Sequence, residues 1–372
     1  MRKQSQHNVT AGTGGSRPLR VGFVPLTDCA PVVMAEELGL YRKHGLRVTL
    51  SRELGWATVR DKIVYGELDA AHAIAGLPFA TTLGIGSVQC PCLSGLVLNQ
   101  HGNAITLSRE MARLGVSDAV TLRDVILAHR RTRMFTFGIV HPFSSHHFLL
   151  RQWLGAAGID PDRDVRLVVV PPPQMFANLK AGHVDGYCVG EPWNSVAVRA
   201  GIGWCVAVSA ELAPGHPEKV LMVRESFAAG RASEHETLIA ALLEACAYCD
   251  VPANRPHLIE TLARSEYVNT PPVNLQPGLS GRIEFQAGQT RQVTDFDVFH
   301  RGNANQPSAD KAAWVLGHLR GTGMAPNPLL LNETLGRRVF RADIFERVAP
   351  ARFRKSDSLN HEILHSPEHA LV

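Results

Sequence analysis

The chemistry-bearing residues of this chain gather around two neighbouring stretches, Pro171-Pro172-Pro173-Gln174-Met175 and Cys188-Val189-Gly190-Glu191-Pro192-Trp193-Asn194. The prolines end a strand-like run, Arg166 to Val170, and fix the backbone as it leaves a sheet. The second stretch ends a short strand at Gly190, where a missing side chain lets backbone approach a ligand. Two strand ends aimed at one crevice suit a small-molecule site in an open α/β sheet. His72, His101, His141, His146, His147 and His183 add imidazoles, and Cys29 follows Asp28 in a strand-end loop. A Cys–His hydrolase would need nucleophile, base and orienting group to converge. The sequence holds no nucleophile elbow, Walker loop, dinucleotide glycine pattern or zincin helix. The expectation is therefore a binding protein and no enzyme.

The elements that must position these groups alternate in type. Residues 19–26, 46–50 and 68–74 read as strands, with helices over 31–41 and 58–65 between them. A second such unit starts at 135–140, carries a helix over 144–157, and runs to about residue 208. The β-loop-α rhythm predicts parallel sheets covered by helices. A short strand over 220–223 and a helix over 234–249 follow, and helix returns at 309–319. Residues 269–305, rich in Pro, Gly and Gln, read as a long surface excursion.

With 372 residues the chain has room for two domains or more, and 45% hydrophobic with 19% charged residues is ordinary for a globular protein. A formal charge of +4 favours an anion weakly and gives no reason to expect nucleic acid. Cys188, Cys205 and Cys246 sit in apolar surroundings and read as reduced core residues. Cys246-x-x-Cys249 and Cys90-x-Cys92 have no second pair at zinc-finger spacing, so no metal and no cofactor is expected. The first twenty residues are polar and basic, with neither an apolar h-region nor a lipobox cysteine, and no apolar run is long enough to span a bilayer. The expected location is the cytoplasm, with no membrane contact.

Two α/β lobes with the chain returning to the first describe a type II periplasmic-binding-protein-like architecture, with the ligand cleft between lobes. The expected division is a disordered arm over 1–18, lobe 1 over 19–125, lobe 2 over 126–220, then a return to lobe 1 with a C-terminal helical extension over 221–372. The run Val21 to Pro31 resembles the opening of the nitrate-binding proteins of ABC transporters, the NrtA family. So do Gly55-Trp56-Ala57-Thr58-Val59-Arg60-Asp61, the His146 region, Pro171 to Met175, Val189 to Asn194 and His216-Pro217-Glu218-Lys219. The resemblance covers about residues 19–250 and, more loosely, the rest. Within that group the chain resembles the cytoplasmic nitrate/nitrite sensors of the NasS type. These hold an ANTAR-type RNA-binding antiterminator (NasT-like) inactive until nitrate or nitrite binds.

The resemblance implies five ligand-binding residues. Trp56 stands where the family places an indole against the anion, and His146 where it has a ligand histidine. Gly190 matches a backbone contact and Lys219 the cationic ligand. Asn103 falls where the transporter protein has glutamine, so an amide of different length replaces it. Bicarbonate-binding relatives are expected to carry an acidic residue, with a cation helping, where this chain has Lys219. The lysine therefore tilts the choice toward nitrate or nitrite. A buried nitrate needs several donors and about one compensating charge, which Lys219 is expected to supply. Taken alone, Lys219 reads as a solvated surface lysine, Trp56 as a packing aromatic and Gly190 as a turn residue. Glu191 has no assigned role, and Asp28 suits pinning its own loop. The rival function is the substrate-binding protein of a nitrate, sulfonate or bicarbonate ABC transporter.

Overall fold

In the computed structural model, residues 17–286 and 288–349 are described. Most of the arm expected over 1–18, and the end of the C-terminal extension, lie outside them. The strands, in chain order, are β1 (Leu19–Phe23), β2 (Val48–Arg52), β3 (Ala70–Ile74), β4 (Cys92–Leu93), β5 (Val97–His101), β6 (Asn103–Ser108) and β7 (Thr136–Ile139). They continue with β8 (Arg166–Val169), β9 (Gly186–Gly190), β10 (Gly203–Val208), β11 (Pro217–Arg224), β12 (Arg282–Gln286), β13 (Gln289–Gln292) and β14 (Asp297–Val298).

They form two main sheets. The first runs β14-β5-β11-β3-β1-β2, with β4 also on β11, and the second runs β10-β6-β9-β7-β8. The sheets share a plan. In each, a central strand pairs parallel with both neighbours: β1 with β2 and β3, β7 with β8 and β9. An antiparallel strand then arrives from the other half of the chain's path, β11 on β3 and β6 on β9. Such sheets with helices on their faces are the two-lobed α/β architecture expected.

The crossings between lobes differ from the expected boundaries. The chain leaves the first sheet at the end of β5 and enters the second at Asn103, not near residue 125. It comes back into the first sheet with β11, which already contains Lys219 and Val220. The pivot of the first crossing is His101-Gly102, both at positive φ (64° and 90°), a conformation open to glycine and strained for histidine. Here the His101 ring compensates locally: its Nε2 accepts from Gly215 N–H at 2.7 Å, and its Nδ1 sits 2.7 Å from the Asp295 carbonyl.

The stretch 269–305 is also not a loose excursion. It forms the helix Pro272–Ser280, the hairpin β12–β13, and β14, which pairs with β5. Leu275, Leu279, Ile283, Phe296 and Phe299 are among its buried apolar residues, and such anchors explain why a Pro- and Gln-rich stretch folds down. The helix closes on the cleft: a side chain at Gly278 would collide with Glu191.

Three larger cores hold the lobes. One lies under the first sheet and the helix Ala232–Asp250, and one inside the second lobe. The third joins both, from Val24, Trp56 and Ile74 to Met175, Tyr187 and Val189. Among the described residues no helix is long and apolar enough to cross a membrane.

Candidate functional site: a buried ion cluster between the lobes

All five residues picked out by resemblance come together where the two crossings meet. Trp56 opens the helix Trp56–Val64, with Gly55 extended before it. Asn103 opens β6, and Gly190 closes β9 directly across from it. His146 lies in the first turn of the helix Ser145–Ala156, which Ser144 caps by accepting from the His147 N–H. Lys219 lies in β11. Asn103, His146 and Lys219 have no exposed surface, and Trp56 is 1% exposed.

Lys219 is not a spare cation. Its Nζ lies 2.6 Å from Asp28 Oδ2 and 2.6 Å from Glu218 Oε1. Burial alone would lower its pKa, but the two carboxylates outweigh that and raise it. The same contacts act in reverse on the acids. Burial pushes Asp28 up, and Lys219 and His72 together bring it below the ordinary carboxylate value. Glu218 goes well below it, since Lys219 and His146 overcome its burial. All three stay charged at neutral pH, as a buried ion cluster must to persist.

Glu218 was given no role from sequence, and it is the hub. Its Oε1 also meets His146 Nε2 at 2.9 Å. Its Oε2 accepts from Asn103 Nδ2 at 2.5 Å and from the Ser145 hydroxyl, and lies 3.3 Å from His216 Nε2. Consecutive residues of a flat strand point to opposite faces. Here β11 slips register against β5 on both sides of Lys219, and Glu218 and Lys219 reach one cluster. Asp28 is likewise more than a loop pin: His72 Nε2 is 2.9 Å from its Oδ1.

The remaining groups are less fully spent. Trp56 presents its ring 5.3 Å from the Lys219 ammonium, a cation–π contact, and its buried Nε1–H has no partner among the described residues. Asn103 Oδ1 and the Nδ1 atoms of His72 and His146 are also buried without hydrogen bonds. Burial holds His72 and His146 below the usual histidine pKa, despite their carboxylate neighbours. At Gly190 a Cβ would come within 3.3 Å of Asn103 Oδ1 and 3.6 Å of Asp28 Oδ2, so its bareness is used by the site. Behind the cluster, Asn99 accepts from the Lys219 N–H at 3.1 Å and donates to Asp297 at 2.9 Å. Burial, with Asp28 nearby, lifts Asp297 to about 8.

Other candidates fall elsewhere. Burial drives the Cys29 thiol far above its usual pKa, which removes the thiolate a Cys–His hydrolase needs. Cys246 and Cys249 sit in the core, and among the described residues no group of three His, Cys, Asp or Glu side chains is placed to hold a metal. His141 and His147 flank the cap of the His146 helix, and their recorded hydrogen bonds stay within that turn.

Fold and site together define a two-lobed ligand-binding protein whose polar cluster is shut between the lobes. The NMT1-like family matches residues 12–263, and the chain belongs to that family, among relatives that include the NrtA proteins. The chain is 33% identical over 364 residues to the nitrate/nitrite binding protein NrtA of Synechococcus elongatus, covering 93% of this chain and 81% of that one. It is 42% identical over 332 residues to the nitrate import ATP-binding protein NrtC of Synechocystis sp., covering 88% of this chain and 49% of NrtC. The chain thus spans about half the length of the curated relatives it matches at highest identity. The crystal structure of the periplasmic nitrate-binding protein NrtA from Synechocystis superposes with a TM-score of 0.86, at 28% identity over 91% of each chain.

Proposed function

We propose that this chain binds a small, planar, monovalent oxyanion, nitrate or nitrite, in the cleft between its lobes. The observation that carries the reading is the convergence of Lys219, His146, Asn103, Trp56 and Gly190 on one fully buried point where the lobes meet. Nitrate spreads one charge over three oxygens in a plane. Lysine, imidazole and amide donors around its edge, with an indole beside it, match that shape and charge. Phosphate would call for a Gly-rich loop before a helix and more basic groups.

We further propose that the protein acts as a cytoplasmic sensor, releasing an ANTAR-domain antiterminator of the NasT type when the anion binds. Such a switch needs the anion and the partner to prefer different lobe arrangements, and each then weakens the other's binding equally. A second reading, the binding component of an importer, draws on the bicarbonate transport ATP-binding protein CmpC of Synechocystis sp., 40% identical over 89% of this chain. Glu218 beside Lys219 also gives the cleft the acidic character that lysine alone had argued against.

Thermal unfolding against nitrate, nitrite, bicarbonate, sulfate and an alkanesulfonate, with chloride matching ionic strength, tests the ligand. A ligand at a hundred times its Kd stabilises by about 2.7 kcal/mol, a rise of several degrees. Nitrate or nitrite alone is expected to give it. A shift only with bicarbonate, or only with a sulfonate, overturns the nitrate reading. Co-purification with the antiterminator, lost on adding nitrate, is the expected mark of the sensor.

A further inference from the structure

Resting on the reading of the cleft as an oxyanion site, a second role emerges for Glu218. Its carboxylate is itself a planar, monovalent oxyanion. Its partners are Lys219, His146 and Asn103, three of the five residues assigned to the external anion, joined by Ser145 and His216. Each of these donors already points at a carboxylate. Lys219 is shared with Asp28, His146 turns its Nε2 to Glu218, and the Asn103 amide donates to Glu218 Oε2. The contacts also run between lobes. Glu218 stands on β11 of the first sheet, whereas Asn103 begins β6 of the second, and Ser145 and His146 begin a helix of the second lobe. We propose that Glu218 is a built-in carboxylate ligand that ties the lobes together through the oxyanion donors, so that nitrate binds by displacing it.

Such a ligand sets affinity and makes the cleft a competition between a tethered and a free anion. The tether gives Glu218 a high effective concentration, so free nitrate is held more weakly than the same donors would hold it alone. Selectivity follows from the same contest. An anion succeeds only if it fits the donors better than the tethered carboxylate does.

Two variants separate the parts, using the full chain. Glu218→Gln keeps the shape and removes the charge, and Glu218→Ala frees the donors outright. In calorimetric titrations both are expected to bind nitrate at least tenfold more tightly than the wild type. Without added anion, both are expected to exchange amide hydrogens faster over residues 103–108 and 145–150, where the tie is anchored. Equal or weaker nitrate binding by both variants, with wild-type circular dichroism, overturns the competition. Unchanged exchange in both overturns the tie. If the wild type and both variants bind no nitrate while exchange quickens, the tie stands and the nitrate reading falls.

Discussion

Replacing Lys219 by Met keeps the apolar stem and deletes the ammonium. Asp28 and Glu218 would then face each other across the position of Nζ, which lies 2.6 Å from an oxygen of each. Charges about 5 Å apart at an effective dielectric of about 20 repel by roughly 3 kcal/mol. Removing one member of a buried ion pair costs about 3–5 kcal/mol by general experience, which agrees. Urea unfolding at pH 7 is therefore expected to show Lys219→Met destabilised by about 3–5 kcal/mol. The sign of the pH dependence follows from the acids. In the wild type both carboxyls are held low, so their stabilisation is present above the ordinary carboxylate range and lost as pH falls through the folded values. In the variant they are pushed up instead, and one takes a proton as pH drops. The deficit of Lys219→Met should then shrink between pH 7 and pH 5. Adding Asp28→Asn should restore part of the loss at pH 7. A deficit below about 1 kcal/mol, unchanged with pH, would refute the buried cluster, because a surface lysine behaves that way.

Three further outcomes follow from other single groups. Asp297, at about 8, is protonated in the folded chain and charged when unfolded over much of the range between, so stability falls as pH rises toward 8. Asp297→Asn, which can keep the acceptor for Asn99, is expected to raise the melting temperature at pH 8.5 and to change it little at pH 4. Burial lowers His235 to about 4, so its penalty grows as pH drops from the ordinary histidine value. His235→Leu should stabilise by about 2 kcal/mol at pH 5 and by almost nothing at pH 8, measured by urea unfolding. Trp56→Phe should remove most of the tryptophan fluorescence change that nitrate causes, since Trp56 lies 5.3 Å from the Lys219 ammonium; an undiminished change would place the anion elsewhere.

The strand-and-helix order of both lobes was legible because each element carries its own period. The run 19–23 alternates into a sheet, and the helix Ser145–Ala156 shows its cap and its end. The five residues named by resemblance do converge, yet the groups that define their electrostatics were hidden. Glu218 and Asp28 look like ordinary surface or loop acids, since a charged side chain carries no local mark of being buried. Only the irregular pairing of β11 with β5 lets Glu218 and Lys219 share a site, and that depends on a strand more than a hundred residues away. The first crossing was placed too late because the turn at His101-Gly102 is short and interrupts no hydrophobic run. The stretch 269–305 misled because its composition outweighed its apolar anchors, among them Leu275, Leu279, Phe296 and Phe299.

The most direct test is a calorimetric titration of nitrate, and separately nitrite, into the full chain at fixed ionic strength, beside bicarbonate. Lys219→Met is the control in place of a charge reversal, which would set a third acid beside Asp28 and Glu218. The expected result is one saturable site for nitrate or nitrite, absent from folded Lys219→Met and unmatched by bicarbonate. No heat with nitrate or nitrite, or equal affinity in the variant, would contradict a nitrate site built on Lys219.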